Sequence, residues 1–238
     1  EENRSGALAV NTLGADAVAS AAQRHGVFLI HLSSGCIQES LSSEDVKKEE
    51  DTPHPVSFYG WTKVWAENLV LERARRDGLK VLVLRPRQLL SSAASPRNAL
   101  VKFLTYSKFI DVPQSCTIVE DLLKVTEELV RQEVQGVYNV VNPGLTSPFS
   151  IAKLLRDYVE PTLGIEAISK DALNHMTKAR RIDTVLSTSK LQGVGITLVP
   201  IEERLKEILP ILKTNLNKKE GAEALAVARG ETAKKLMR

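Results

Sequence analysis

Two cysteines in 238 residues cannot build a disulfide framework, so a reducing cytosol is the expected compartment. No apolar run approaches the roughly 18–20 residues that span a bilayer. The longest, around Val27–Leu32, already contains His31 and gives way to Ser33, so no membrane partner is expected. Neither sign of charge dominates: 32 Lys+Arg against 29 Asp+Glu leave +3. Residues 217–238 hold six basic and three acidic side chains and account for that whole excess. A neutral body has no basic face, which argues against nucleic acid as a partner. No cluster of metal-ligand spacing stands out, and no metal site is expected. The chain opens on Glu1-Glu2-Asn3-Arg4, with neither Met nor an apolar leader. It reads like the middle of a longer cytoplasmic protein.

What is there is ordinary globular material, 43% apolar and 26% charged, which excludes a disordered or fibrous chain. Leu8, Val10, Leu13, Ala17, Val18 and Ala21 recur at helical spacing over residues 7–25, and Gly26 stops them. Val27–Leu32 is then a buried parallel strand. A polar loop fills residues 35–55, a helix runs from Ser57 to Arg76, and Lys80–Leu84 is a second buried strand. Helices follow over Val119–Glu133 and Ser150–Tyr158, with Gly136–Val141 as a strand between them. A last helix over Ile201–Leu212 is interrupted by Pro210, and the tail from Asn217 is loosely helical and solvated. Helices alternating with short apolar strands define an α/β fold with a parallel sheet.

Tyr59 and Lys63, in YGWTK, stand at i and i+4 on one helix face. An ammonium beside a phenol favours the phenolate, which suits Tyr to acid–base work near neutrality. An amphipathic helix with an incidental Tyr and Lys carries the same pattern. Ser33-Ser34-Gly35 follows the end of the Val27–Leu32 strand, where ligands sit in open α/β sheets. Asn11 lies upstream, in the first helix.

A strand-end Ser, a following YxxxK helix and an upstream Asn helix together resemble the extended short-chain dehydrogenase/reductase family. LSSGCI, YGWTK, LRPR, SPRNALVK, NVVNPG and TSKL follow in the order of its dTDP-4-dehydrorhamnose reductase-like branch. Over residues 7–212 the likeness is to the bifunctional 3,5-epimerase/4-reductases that act on UDP-4-keto-6-deoxyglucose in rhamnose synthesis. The resemblance implies a Rossmann-like doubly wound parallel sheet, incomplete at its N-terminus, with a small C-terminal substrate region. It divides the chain into a cofactor-domain half over residues 1–94, a substrate region over 95–216 and a basic tail over 217–238. It also implies NADPH or NADH as cofactor and a nucleotide sugar as substrate, and it allows a homodimer.

By the same resemblance, Ser34, Tyr59 and Lys63 perform the reduction, and Cys36 with Lys102 perform the epimerisation. Asn11, Ser33 and Arg85 join Tyr59 and Lys63 on the cofactor side; Arg85 is equally placed for an ordinary ion pair. Arg87, Asn98, Asn142 and Arg181 fall on the substrate side, Arg181 toward the nucleotide phosphates. A 4-ketone acidifies the hydrogens on C3 and C5, so a thiol and an ammonium there could invert both carbons through an enolate. Reduction then needs hydride at C4 and a proton on the alkoxide, from Tyr59, with Ser34 on the C4 oxygen. The glycine-rich dinucleotide fingerprint is missing, the nearest pair being Gly193-Val194-Gly195. The resemblance places it in the roughly 60–90 residues of about three strand–helix units upstream. Weak binding of the isolated chain to the cofactor and an exposed apolar sheet edge are therefore expected. A plain reductase and a non-catalytic, reductase-like regulatory protein remain the alternatives.

Overall fold

A computed structural model describes residues 3–176 and 182–236. In chain order, α1 (Arg4–Leu8) passes through a π-helical turn (Ala9–Leu13) into α2 (Gly14–Arg24), followed by β1 (Leu29–Leu32) and a 3₁₀ turn (Gly35–Ile37). Then come β2 (Val46–Lys47), α3 (Phe58–Asp77), β3 (Val81–Pro86), β4 (Leu89–Leu90), α4 (Ala99–Phe103), β5 (Lys108–Ile110) and β6 (Thr117–Ile118). The chain continues with α5 (Val119–Arg131), β7 (Gly136–Val140), α6 (Pro148–Tyr158), β8 (Glu166–Ile168), α7 (Lys170–Met176) and β9 (Val185–Leu186). It closes with α8 (Ser189–Gly193), α9 (Ile201–Leu216) and α10 (Lys219–Leu236).

The described residues form two compact units, and the chain crosses between them several times. Residues before 88, Leu122–Val141 and residues 182–197 make the first; Gln88–Asp121, Asn142–Met176 and residues from Leu198 onward make the second. The linear division at residues 94 and 216 therefore gives way to an interleaved one.

The first unit is built on three parallel strands in the order β1-β3-β7. β3 lies between two neighbours and all six of its residues are buried, as its unbroken apolar run requires. Ala19 of α2 and Val70 of α3 pack with Leu79, Val81 and Val83 on one side of it. The N-terminal helix is seated over this sheet by Thr12 Oγ1, which donates to the Thr62 carbonyl at 2.9 Å. β1 departs from the expected buried strand. Among the described residues it pairs with β3 alone, and Ile30 and Leu32 are 41% and 49% exposed, so an apolar edge stands open. β2, inside the expected polar loop, pairs in parallel with β9. α3 starts on the Ser57 hydroxyl, which accepts from Gly60 N–H at 3.0 Å, and stops at Gly78 in the left-handed region, φ +70°.

The second unit buries α4, α6 and α9 around Leu100, Phe103, Ile151, Leu155, Ile201, Leu205 and Leu209. Helix α9 runs through Pro210 to Leu216 without interruption. Proline removes one helical hydrogen bond, but the buried side of α9, from Ile201 through Leu205, Ile208 and Leu209 to Leu212, holds the helix together. The tail is a helix docked along one side, with its other side left in solvent. α10 packs on α4 and α9 and buries Ala224 and Ala228, while Thr232 and Thr105 share a 2.7 Å hydroxyl contact. Small residues at four-residue spacing let α10 approach closely, and Lys219, Arg229 and Lys234 stay exposed on its outer side.

Candidate active site

The site in the first unit begins where β1 ends. Ser33 N–H donates to the Leu84 carbonyl at 2.8 Å, extending the ladder one residue past the strand. The chain then turns, and Ser34 caps that turn by accepting from Cys36 N–H at 3.1 Å. Hydroxyl and thiol are thereby presented together at the carboxyl end of the edge strand. Gly35 is needed here, because a Cβ would meet Leu186 Cδ1 at 2.7 Å and Arg87 Cβ at 3.4 Å.

Helix α3 delivers Tyr59 to the same place. A Cβ on Gly60 would lie 3.1 Å from the Cys36 carbonyl and 2.7 Å from Pro55 Cβ, so the first turn of α3 rests directly on the cysteine turn. Burial first, and then the Cys36 thiol, raise the Tyr59 pKa above the usual phenol value. A hydrogen bond with Ser34 acts the other way. The expected lowering by Lys63 does not arise in this geometry. Lys63 Nζ instead donates to the Leu32 carbonyl at 2.9 Å, and burial lowers its pKa, partly offset by Glu67.

The π-helical turn places Asn11 opposite α3, where its Nδ2 donates to Thr62 Oγ1 at 3.0 Å. Thr62 Oγ1 in turn donates to the Tyr59 carbonyl at 2.7 Å. Thr62 thus braces the turn that carries Tyr59, a role the sequence reading missed. Its only signal was a β-branched hydroxyl residue in a helix interior, immediately before Lys63. Beside this brace lies a cleft of about 280 Å³, lined among others by Asn11, Gly14, Leu29, His31 and Lys63.

Several expected ligand residues are committed elsewhere. Arg85, 4% exposed, holds Glu67 through Nε at 3.0 Å and Nη2 at 2.6 Å, and Nη1 donates to the Glu49 carbonyl at 2.9 Å. It is an internal ion pair, and its guanidinium donors are spent within the fold. Asn98 caps α4 and donates to the carbonyls of Ser91 and Ala93, both at 2.7 Å. Asn142 is fully buried; it accepts from Ile118 N–H at 2.9 Å and donates to Asp121 Oδ2 at 2.7 Å. Both amides are spent within the fold, because each closes backbone groups that burial would otherwise orphan. Arg87 is buried and donates from Nη2 to the Ile182 carbonyl at 2.5 Å. Lys102 is half-buried on α4, in the second unit. Arg181 lies outside the described residues.

A parallel sheet with Ser33 and Ser34 at the carboxyl end of one strand, and the YxxxK helix packed against that turn, is an α/β fold whose ligand side is that strand end. The sequence matches the family described as the RmlD substrate-binding domain over residues 1–214, and the chain belongs to that family. It is 31% identical over 212 residues to a bifunctional dTDP-4-dehydrorhamnose 3,5-epimerase/dTDP-4-dehydrorhamnose reductase of Arabidopsis thaliana, covering 86% of this chain and 69% of that one. The fold is similar to that of a UDP-rhamnose synthase of Acanthamoeba polyphaga mimivirus, with TM-score 0.73 and 29% identity over 84% of this chain and 70% of that one. It is also similar to a Bacillus anthracis dTDP-4-dehydrorhamnose reductase in complex with NADP, with TM-score 0.75 and 23% identity over 88% and 73% of the two chains.

A nicotinamide cofactor fits one part of this site. Ser33 Oγ is buried at the strand end without a hydrogen-bond partner, beside the Tyr59 and Lys63 elements. Such a group suits a polar ligand atom. The 238 residues contain no glycine-rich loop that would cradle the pyrophosphate.

Proposed function

We infer that this chain serves an NDP-4-keto-6-deoxyhexose 3,5-epimerase/4-reductase of nucleotide-rhamnose synthesis, with NADPH or NADH as reductant. The observation that carries this reading is the gathering of Ser34, Cys36 and Tyr59 at one strand end, with the thiol close enough to oppose ionisation of the phenol. The cofactor, when bound, supplies hydride to C4. Tyr59 and Lys63 hold its ribose end, and Ser33 Oγ offers it a hydrogen bond.

The protein's own groups divide the proton chemistry. A phenol whose pKa is raised is fully protonated at neutral pH, the form that donates to a C4 alkoxide. Ser34 steadies the C4 oxygen and, through its hydrogen bond to the phenol, the tyrosinate left after donation. Cys36 exchanges protons at C3 and C5, and the family likeness assigns its counterpart to Lys102. The C3 and C5 chemistry needs no hydride, so the two sets can be separated by substitution.

In the natural full-length protein, Cys36→Ala abolishes deuterium uptake from solvent at C3 and C5 and leaves reduction of an already epimerised 4-keto sugar nearly intact. Tyr59→Phe does the reverse, and Lys102→Met tests the second acid–base group alone. Single acid–base groups contribute about 10²–10⁴-fold, so mass spectrometry of the sugar and absorbance of the nicotinamide resolve each loss. Exchange at an undiminished rate in Cys36→Ala removes Cys36 from the epimerase chemistry, and no exchange at C3 or C5 in the unsubstituted protein leaves a plain reductase. Undiminished reduction in Tyr59→Phe removes the reductase assignment itself.

A further inference from the structure

His31 has no part in the chemistry above, yet it sits in the cleft beside Lys63. It is the third residue of β1, in register with Val83 of β3, and it precedes Leu32, whose carbonyl holds the Lys63 ammonium at 2.9 Å. Its Nε2 is sealed from solvent and has no hydrogen-bond partner. A protonated imidazole carries a donor on each nitrogen, and here one of them has no acceptor to meet. The neutral ring needs only one donor, so the geometry selects it.

The charged surroundings act in the same direction. From α3, Lys63 faces the ring as a cation and Glu67 as an anion, and Glu67 is already paired with Arg85 of β3. From the α2 side the cleft wall is Val10, Asn11, Gly14, Ala15 and Val18, none of them titratable. Asp16 on α2 is held by Arg73 at 2.8 Å. Burial and Lys63 lower the His31 pKa below its ordinary 6.5, with Glu67 opposing.

We propose that His31 is a positioning residue for Lys63: as a neutral ring it leaves Lys63 the only cation among the described residues that line the cleft, and lets the ammonium stay seated on the Leu32 carbonyl. Protonation of the ring places a second cation in the same cleft and drives Lys63 out of its seat or out of its charged state. A Leu or Val at this strand position would pack equally well but would carry no such proton dependence. The inference rests on the reductase reading for its role in turnover, and it has a readout that does not need turnover.

That readout is an NMR titration of the His31 ring in the full chain, with Lys63→Met as the comparison. The expected result is a wild-type midpoint below 6.5 that moves upward in Lys63→Met. A midpoint at or above 6.5, or one that ignores the loss of Lys63, overturns the proposal. In turnover, the acid side of the kcat/KM profile for 4-keto-sugar reduction falls about tenfold per pH unit below that midpoint. In His31→Gln, neutral at every pH, this limb disappears while activity at pH 7.5 stays within about threefold. A limb unchanged in His31→Gln also overturns the proposal. If the wild-type protein reduces no 4-keto sugar at any pH, the proposed function falls, and the NMR midpoints still decide whether His31 and Lys63 are coupled.

Discussion

Replacing Arg85 with Ala should cost the first unit about 3–5 kcal/mol, for reasons visible in its contacts. Glu67 is 3% exposed and receives three charge-assisted bonds from Arg85, at 2.6 to 3.2 Å. Removing the guanidinium leaves a buried carboxylate without these bonds, the situation in which breaking a buried pair costs that much. The Glu49 carbonyl also loses its 2.9 Å donor, about 1 kcal/mol within that range. With a urea m-value of about 2 kcal/mol/M, the midpoint should fall by roughly 2 M. The assay is selective, because both tryptophans, Trp61 and Trp65, lie on α3 and their fluorescence follows the first unit. The double variant Arg85→Met/Glu67→Leu removes both charges together and should recover most of the loss. A cost below 1 kcal/mol for Arg85→Ala, or a double variant no better than the single one, would refute the buried-pair argument.

Two further outcomes follow from the same structure. Tyr59 should ionise above the usual phenol range, read as the 295 nm difference between wild type and Tyr59→Phe. Its midpoint should fall in Cys36→Ala and rise in Ser34→Ala. The sign for stability is fixed by that shift: above the ordinary phenol pKa the unfolded chain ionises first, so stability drops as pH rises toward the folded value. In α10, Ala228→Arg should destabilise the second unit by about 3 kcal/mol or more, since Ala228 is 1% exposed and a buried charge has no partner there. Ala226→Arg, on the exposed side of the same helix, should stay within about 0.5 kcal/mol; equal thermal melts for the two variants would show α10 to be undocked.

Much of this protein was legible in its sequence because the information is local. The apolar run of β3, the extent of α3 from about Ser57 to Arg76, and the i, i+4 spacing of Tyr59 and Lys63 each depend on neighbours within one element. Ser34 and Cys36 could likewise be placed at a strand end, because ligand positions in α/β sheets follow from strand direction. Partner choice was not legible. Nothing local tells Arg85 from a cofactor ligand, since Glu67 lies 18 residues away and only the packing of α3 on β3 joins them. Asn142 likewise reads as a free amide until the fold sets it between Ile118 and Asp121. Lys63 has the spacing to lower the Tyr59 pKa, but the position of β1 gives its ammonium the Leu32 carbonyl instead. The α10 tail reads as solvated because its composition is basic; it docks because Ala224 and Ala228 share one side and α4 and α9 offer that side a surface. Residue type and spacing determine which groups are available, and the tertiary structure decides which of them are already spent on one another, because a buried polar group must find its partner inside the fold.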